Sequence, residues 1–289
     1  METSKFLFSA SSVKEYMQCG IKFKYGRIDK RERTETYSHH RWFGTLVHSV
    51  IYTSVGKHTT SKDMELHDKV NETFPLKIFE ALWQERESDD PVIKMLQKDL
   101  GPKPVGKFLP GKIKSLHPDL SQDKLEKGWK AEAKKMVKNG INVVTEIPEI
   151  VELEKKMFWT ILGKRFIGFS DIVAKDKDGK FEYYDLKTSW DKPGNRIDSD
   201  FQFFAYSLAL KDLYKLDYFP KGYYVHLRSG SLVEFELTPY LFGKMMSILK
   251  GVFSDIESDV FLPDYGGPLC PYCDFRHICY GKDENIWRR

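Results

Sequence analysis

The chain has 289 residues, of which 41% are hydrophobic and 14% aromatic, enough to bury one large core or two small ones, so intrinsic disorder is excluded. No apolar run is long enough to cross a bilayer, and the first twenty residues hold only a brief apolar patch. We therefore expect a soluble protein in the cytoplasm of a prokaryotic or virus-infected cell. The 46 basic and 42 acidic residues give a net charge of +4, which permits nucleic-acid binding without requiring it.

The first predicted element is a short helix that carries Cys19 near its end. Val13 and Tyr16 lie at helical spacing, and Ser11 or Ser12 is available as the N-cap. Basic residues follow in two clusters: Lys22, Lys24, Arg27, Lys30, Arg31 and Arg33, with Tyr16, Phe23 and Tyr25 among them, and then Lys103, Lys107, Lys112 and Lys114. Such clusters suit a phosphate backbone with stacked bases, or simply a solvated surface, and the sequence leaves both readings open.

Residues 42–55 are almost continuously apolar, which predicts a buried helix in which His48 needs a polar partner. Residues 59–140 are rich in charge and broken by turn signals, which is typical of a helical insertion. No internal repeat or linker is visible, so we predict a single domain. Its parts are 1–58 with N-terminal helices, 59–140 as the insertion, 141–260 as the catalytic sheet core and 261–289 as the cysteine-rich motif.

From residue 141 the pattern changes to three strands that form an antiparallel meander ending at residue 190. A helix capped by Asp198 or Ser199 follows, then two strands around a Ser-Gly turn and an amphipathic helix. This order predicts an α/β (α+β) fold with a central sheet flanked by helices.

The four cysteines fit one inorganic site. Cys270, Cys273 and Cys279 form a C-x2-C-x5-C cluster, and Cys19 alone remains to supply a fourth thiolate. Such a site would tie the two ends of the chain together. Two disulfides are a weaker alternative in a reducing compartment. Zinc and an iron–sulphur cluster both accept four thiolates, so the cysteines alone leave the metal open.

A second candidate site lies in the strand meander. Asp185 and Lys187 fall on one face of a strand, and the preceding hairpin brings Asp171 beside Asp185. Two carboxylates suit Mg²⁺ or Mn²⁺, and a lysine can orient water and stabilise phosphate charge, which is the chemistry of phosphodiester hydrolysis. An Asp–Lys pair alone is more often a surface ion pair. Gln202 and Tyr206 share one face of the next helix.

Together these residues resemble the RecB-like branch of the PD-(D/E)XK nucleases, and most closely its members with a cysteine staple, the AddB nuclease domain and the single-strand exonucleases of CRISPR adaptation. The matching motifs run in the family's order along the chain: S-x6-Y-x2-C from Ser9 to Cys19, G-T-L-V-H ending at His48, G-F-S-D ending at Asp171, D-L-K from Asp185 to Lys187, Q-x3-Y from Gln202 to Tyr206, and C-P-Y-C-x5-C from Cys270 to Cys279.

The resemblance implies a restriction-endonuclease-like fold with a mixed sheet and two cofactors. It implies a metal site at His48, Asp171, Asp185 and the Leu186 carbonyl, and a catalytic lysine at Lys187. Gln202 and Tyr206 would support the active site and the approaching strand. The cysteines Cys19, Cys270, Cys273 and Cys279 would bind a [4Fe–4S] cluster.

The implied function is Mg²⁺- or Mn²⁺-dependent hydrolysis of DNA, with single strands or free ends as substrates and partners from CRISPR adaptation, recombination or viral DNA processing. Two departures concern the site: Tyr52 stands where family members often have an acidic residue, and Asp185 where many have Glu. Glu152 or Glu154 could offer a further carboxylate. The rival interpretations are a DNA-binding accessory protein that has lost hydrolysis and a structural zinc protein.

Overall fold

The computed structural model describes residues 6–33, 39–58, 64–66, 73–84, 89–100, 121–190, 197 and 200–279. Its helices are α1 (Ala10–Gln18), α2 (Gly20–Phe23), α3 (His39–Val55), α4 (Thr73–Gln84), α5 (Pro91–Leu100), α6 (Gln122–Thr145), α7 (Phe201–Leu213), α8 (Pro239–Glu257) and α9 (Arg276–Cys279). Its strands are β1 (Gly56–His58), β2 (Met64–Leu66), β3 (Glu149–Ile161), β4 (Lys164–Lys175), β5 (Phe181–Lys187), β6 (Lys221–His226) and β7 (Ser231–Phe235).

The centre of the fold is a five-stranded mixed sheet with the strand order β3-β4-β5-β6-β7. The first three strands form the predicted antiparallel meander, β5 and β6 run parallel, and β6 and β7 form a hairpin. Parallel neighbours need a crossover connection, which α7 provides between β5 and β6. The mixed sheet with flanking helices confirms the predicted fold class.

Each face of the sheet packs on its own hydrophobic core. The first core, beneath α3 and α6, includes Leu46, Val137 and Ile172. The second core, formed with α1, α7 and α8, includes Phe166 and Phe204. Because both faces of the sheet are covered, β4 and β5 carry apolar side chains on both faces. Burying a charged side chain within these strands is costly unless it has polar partners.

Three predicted element boundaries are wrong. Helix α6 continues to Thr145, so residues 141–145 are helical and β3 begins only at Glu149; burial of Val143 and Val144 in the first core outweighs the strand preference of their branched side chains. Helix α1 is capped by Ser9, which forms a reciprocal capping box with Ser12.

Helix α7 is capped by Asp200, whose carboxylate accepts a hydrogen bond from the amide of Gln202 at 2.9 Å. The predicted caps, Asp198 and Ser199, lie outside the described residues. This cap matters for function because it sets where α7 begins, and hence where Gln202 lies relative to β5.

The described part of the predicted insertion holds α4, α5 and most of α6, but it also contains strand β2, which pairs with β1. The second basic cluster, Lys103 to Lys114, lies outside the described residues. Within those residues, none of the helices combines the length and apolar character that crossing a bilayer requires.

The aromatic residues of the first basic cluster are structural. Phe23 is buried and stacks on Phe261, while Tyr25 meets Phe275 edge to face. The Tyr16 hydroxyl donates to the carbonyl of Val260 at 2.9 Å. Most basic residues of the cluster form ion pairs: Lys24 with Asp259, Arg27 with Glu15, Arg31 with Asp29 and Arg33 with Asp274. These aromatic rings therefore join the two ends of the chain instead of offering faces to bases.

Candidate active site

The two predicted catalytic carboxylates lie where β4 and β5 separate. The pairing of these strands runs from Lys175↔Phe181 to Ile172↔Tyr184. Asp171 and Asp185 are the next residues on each strand, so Asp171 marks the end of the pairing while β4 itself continues to Lys175. The amide of Leu186 donates to Asp171 Oδ2 at 2.7 Å, which fixes this carboxylate against β5.

Gln202 connects Asp185 with Lys187. Lys187 Nζ lies 2.6 Å from Asp185 Oδ2. The side chain of Gln202 donates from Nε2 to Asp185 Oδ1 at 2.7 Å and accepts at Oε1 from Lys187 Nζ at 3.2 Å. Because an amide offers a donor at one end and an acceptor at the other, one glutamine satisfies both charged groups at once.

Burial and neighbouring charges shift the pKa values of Asp185 and Lys187. Burial raises the pKa of Asp185 to about 7, an effect that Lys187 opposes and the nearby Asp171 carboxylate reinforces. Burial alone would lower the pKa of Lys187, but Asp185 and Asp171 outweigh it and raise that pKa above its usual value. The ammonium is therefore charged at neutral pH and lies beside two carboxyl groups.

His48 reaches the same place from α3. Its Nδ1 lies 3.9 Å from Asp171 Oδ2 and 3.2 Å from the hydroxyl of Tyr52, and the imidazole also hydrogen-bonds the backbone of Leu186. Burial lowers the pKa of His48, so the ring is neutral at pH 7 and keeps a lone pair for a ligand. Burial and the Asp171 carboxylate raise the pKa of Tyr52 well above its usual value.

Tyr206 contacts the strand and not the charged network. Its hydroxyl accepts a hydrogen bond from the amide of Phe169 at 3.3 Å, two residues before Asp171. The predicted supporting role is therefore divided: Gln202 orients side chains, whereas Tyr206 holds the backbone of β4.

Of the two additional carboxylates considered, only Glu154 lies near the site. Leu153 pairs with Ile172 and Lys155 with Ser170, which leaves Glu154 and Asp171 opposite each other. Burial and the Asp171 charge raise the pKa of Glu154. Glu152 instead accepts a hydrogen bond from Tyr214 at 2.6 Å, at a distance from the site.

Arg228 is a positioning residue that the motifs did not reveal. Its guanidinium donates to the carbonyls of Thr188 and Ser189, at 3.1 Å each, and to Glu132 at 2.9 Å. It also stacks on Trp190 at 3.6 Å from the ring centre. Because these carbonyls directly follow Lys187, the buried arginine fixes the chain as it leaves β5. A lone arginine after a strand carries no distinctive sequence signal.

The donors at this site fit a hard divalent cation in chemical type: two carboxylates, a neutral imidazole and a main-chain carbonyl converge on one negatively charged place. Across the residues that the structure describes, however, no three His, Cys, Asp or Glu side chains form a closed metal-binding group. Asp185 is still turned toward Lys187. Metal binding therefore requires a small rearrangement of side chains that are already neighbours.

The four cysteines lie in neighbouring segments of the two ends of the chain. Gly20 brings Cys19 against the C-terminal segment: its amide donates to the Leu262 carbonyl at 2.9 Å, and a Cβ there would lie 2.8 Å from the Leu262 nitrogen. Burial raises the pKa of Cys279 to about 11, and Cys273, Cys19 and Cys270 are each near enough to add to that shift. Among the described residues the thiols do not form a closed metal-binding group. The thiols are free and partly exposed.

Most of the chain matches one family of known sequences. The sequence model of the PD-(D/E)XK nuclease superfamily matches residues 7–280. The chain is similar to the crystal structure of the "Putative exonuclease" from Eubacterium rectale, at 11% identity and a TM-score of 0.43, over 94% of this chain and 89% of that one. It is also similar to the crystal structure of SSO0001, at 15% identity and a TM-score of 0.30, over 60% of this chain and 80% of that one. Among curated proteins, none matches.

Proposed function

The chain belongs to the PD-(D/E)XK nuclease superfamily, and we propose that it is a deoxyribonuclease dependent on Mg²⁺ or Mn²⁺ that degrades single-stranded DNA from free ends. The observation that carries the proposal is the Gln202 link between Asp185 and Lys187, beside an Asp171 carboxylate held by the Leu186 amide. A protein that only bound DNA would have no need for a buried and a half-buried carboxylate around one lysine.

The residues of the site divide the work of hydrolysis. His48, Asp171, Asp185 and the Leu186 carbonyl would hold the divalent cation. When bound, this cation polarises the scissile phosphate and lowers the pKa of a coordinated water. The Lys187 ammonium orients the attacking water and stabilises the charge that develops on the phosphate. Gln202 keeps the lysine aimed at that position, and Tyr206 keeps β4 from moving away.

We further propose that Cys19, Cys270, Cys273 and Cys279 hold a [4Fe–4S] cluster that joins the two ends of the chain. Support comes from the proximity of the three other thiols to Cys279, whose pKa each of them raises, and from the four soft ligands that such a cluster takes. Zinc is the rival occupant, and it predicts a colourless protein. The resemblance to nucleases of CRISPR adaptation and recombination supports a role in one of these processes or in viral DNA processing.

The decisive experiment compares end-labelled linear and circular single-stranded DNA, each with Mg²⁺ or Mn²⁺ and with or without chelator. We expect metal-dependent degradation of the linear strand only. Lys187→Ala should lower the cleavage rate by at least about a hundredfold, whereas Lys250→Ala, at an exposed position on α8, should leave it unchanged. Full cleavage by Lys187→Ala would refute the assignment, and binding without any cleavage by the wild type would favour the accessory protein.

A further inference from the structure

The hairpin of β3 and β4 extends beyond the rest of the sheet. β4 pairs with β5 only from Ile172 onward, whereas its pairing with β3 continues for eight more residues to Ile161↔Lys164. One face of this extension is buried in the core formed with α7 and α8, through Met157, Trp159, Ile161 and Phe166.

The opposite face of the extension is exposed, aromatic and basic. Phe158 is 60% exposed and Phe169 is 53% exposed. Lys156 lies between the two rings, with its Nζ 5.1 Å from the centre of Phe158 and 6.0 Å from that of Phe169. Arg165 is exposed near the tip of the same face. Exposing a large aromatic ring to water is unfavourable. Two exposed rings around one cationic side chain are therefore typical of a binding surface.

This face lies close to the active site along β4, because Phe169 is two residues before Asp171. The alternation of faces is interrupted nearby, since Phe166 packs in the second core and Ile172 in the first. The face also lies on the side of the sheet where α3 packs, because the opposite side is occupied by the α7 and α8 core. At a rise of about 3.3 Å per residue, Phe169 is about 7 Å from Asp171, and Phe158, opposite Ile167, is about 13 Å away.

We propose that this aromatic face, defined by Lys156, Phe158, Arg165 and Phe169, binds the unpaired bases of a DNA strand next to the phosphate at Asp171. The inference rests on the proposed nuclease function and names the form of its substrate. The two rings stack on successive bases while Lys156 and Arg165 attract the phosphates. Bases in a duplex have their faces covered by their neighbours, so this surface selects single strands.

The test measures binding in the presence of chelator, so that it does not depend on cleavage. The ligands are a labelled oligo(dT) and an abasic oligonucleotide of equal length and charge, at one salt concentration. The variant Phe158→Thr/Phe169→Thr removes both rings and keeps residues that favour strands. Phe158→Tyr/Phe169→Tyr retains the ring faces. Leu232→Thr, at a 46% exposed position on β7, is the matched control.

Loss of both rings should weaken binding of oligo(dT) by at least about tenfold and leave the abasic strand unaffected. The tyrosine variant and the control should bind like the wild type. Unchanged oligo(dT) affinity in the threonine variant, or an equal loss with the abasic strand, would overturn the proposal. The nuclease assignment is separately decided by Lys187→Ala, since cleavage that depends on Lys187 can survive without stacked bases.

Discussion

The catalytic end and the cysteine end of this molecule are organised in opposite ways. At the catalytic end, regular strands and helices carry the functional groups, and hydrogen bonds or ion pairs of 2.6–3.2 Å already connect Asp185, Lys187 and Gln202. At the cysteine end, the thiols sit on a helix cap and short turns, and they are partly exposed. The side chains of the first site are already connected to one another by the fold, whereas those of the second would be connected by the proposed cluster.

The difference follows from what surrounds each site. Asp185 lies between two hydrophobic cores, so its partners are dictated by the cost of leaving a buried charge unpaired. The cysteine segments are anchored by Phe23 and Phe261 of the second core and by the buried Phe275, but the thiols themselves are partly exposed. We therefore expect that replacing one residue lowers mainly the stability at the cysteine end and mainly the activity at the catalytic end.

The largest expected effect is at the cysteine end. Cys279→Ala removes one ligand of the proposed cluster, which closes a loop of about 250 residues between Cys19 and Cys270. By the loop-entropy estimate used for cross-links, that closure contributes about 5 kcal/mol to the free energy of unfolding. We expect a large loss of stability together with loss of bound iron. Denaturant unfolding and iron analysis of anaerobically purified protein measure both.

Wild-type protein stripped of iron by a chelator is the matched control, and it should unfold at the same denaturant concentration as Cys279→Ala. A variant without a cluster that remained as stable as the untreated wild type would show that the cysteines do not fasten the chain. Equimolar zinc and no visible absorption in the wild type would assign the site to zinc.

The next largest effect is at the catalytic end. Gln202→Ala removes the amide that orients both Asp185 and Lys187, and the cleavage rate at saturating metal should fall about 10- to 100-fold while the folded state persists. Steady-state cleavage and thermal unfolding measure the two quantities. Gln18→Ala, at an exposed position on α1, should change neither. If Gln202→Ala cleaves DNA as fast as the wild type, Lys187 does not need Gln202 to orient it.

Much of the catalytic end could be predicted because its signals are local. The alternation of β5 places Asp185 and Lys187 on one face, and the helical spacing of Gln202 and Tyr206 places both near it. The antiparallel meander then brings Asp171 alongside by a short connection. The sheet itself follows from strands, turns and a crossover helix, each of which has its own pattern.

The remaining features depend on contacts between distant residues. Arg228 contacts Glu132 and the carbonyls after Lys187 from the turn between β6 and β7, and its neighbours in sequence give no sign of these contacts. The helical end of α6 depends on burial of Val143 and Val144, which overrides their local preference. The proposed roles of Phe158 and Phe169 could not be predicted from the sequence either, because the exposure of an aromatic residue is a property of the folded chain.

Arg228 offers a smaller perturbation that reaches the catalytic end through the backbone. Arg228→Lys keeps the charge near Glu132, but it loses the planar fork and the stacking on Trp190. The Thr188 carbonyl loses its Arg228 donor, whereas the Ser189 carbonyl keeps its contact with His226 Nε2 at 3.0 Å, so the free energy of unfolding should fall by about 2 kcal/mol. Arg31→Lys, at an exposed ion pair, should change it by less than about 0.5 kcal/mol. Denaturant titrations measure the free energy of unfolding of both variants. Equal losses would contradict the proposal that Arg228 fixes the chain as it leaves β5.

The smallest effect is expected from Tyr52→Phe, which removes one hydroxyl beside His48 and Asp171. The Leu186 backbone still holds both groups, so metal affinity should fall by less than about tenfold. A titration of cleavage against Mn²⁺ should show a higher half-saturating concentration with an unchanged rate at saturation. A rate loss at saturating metal as large as that of Gln202→Ala would instead place the Tyr52 hydroxyl against the reacting phosphate.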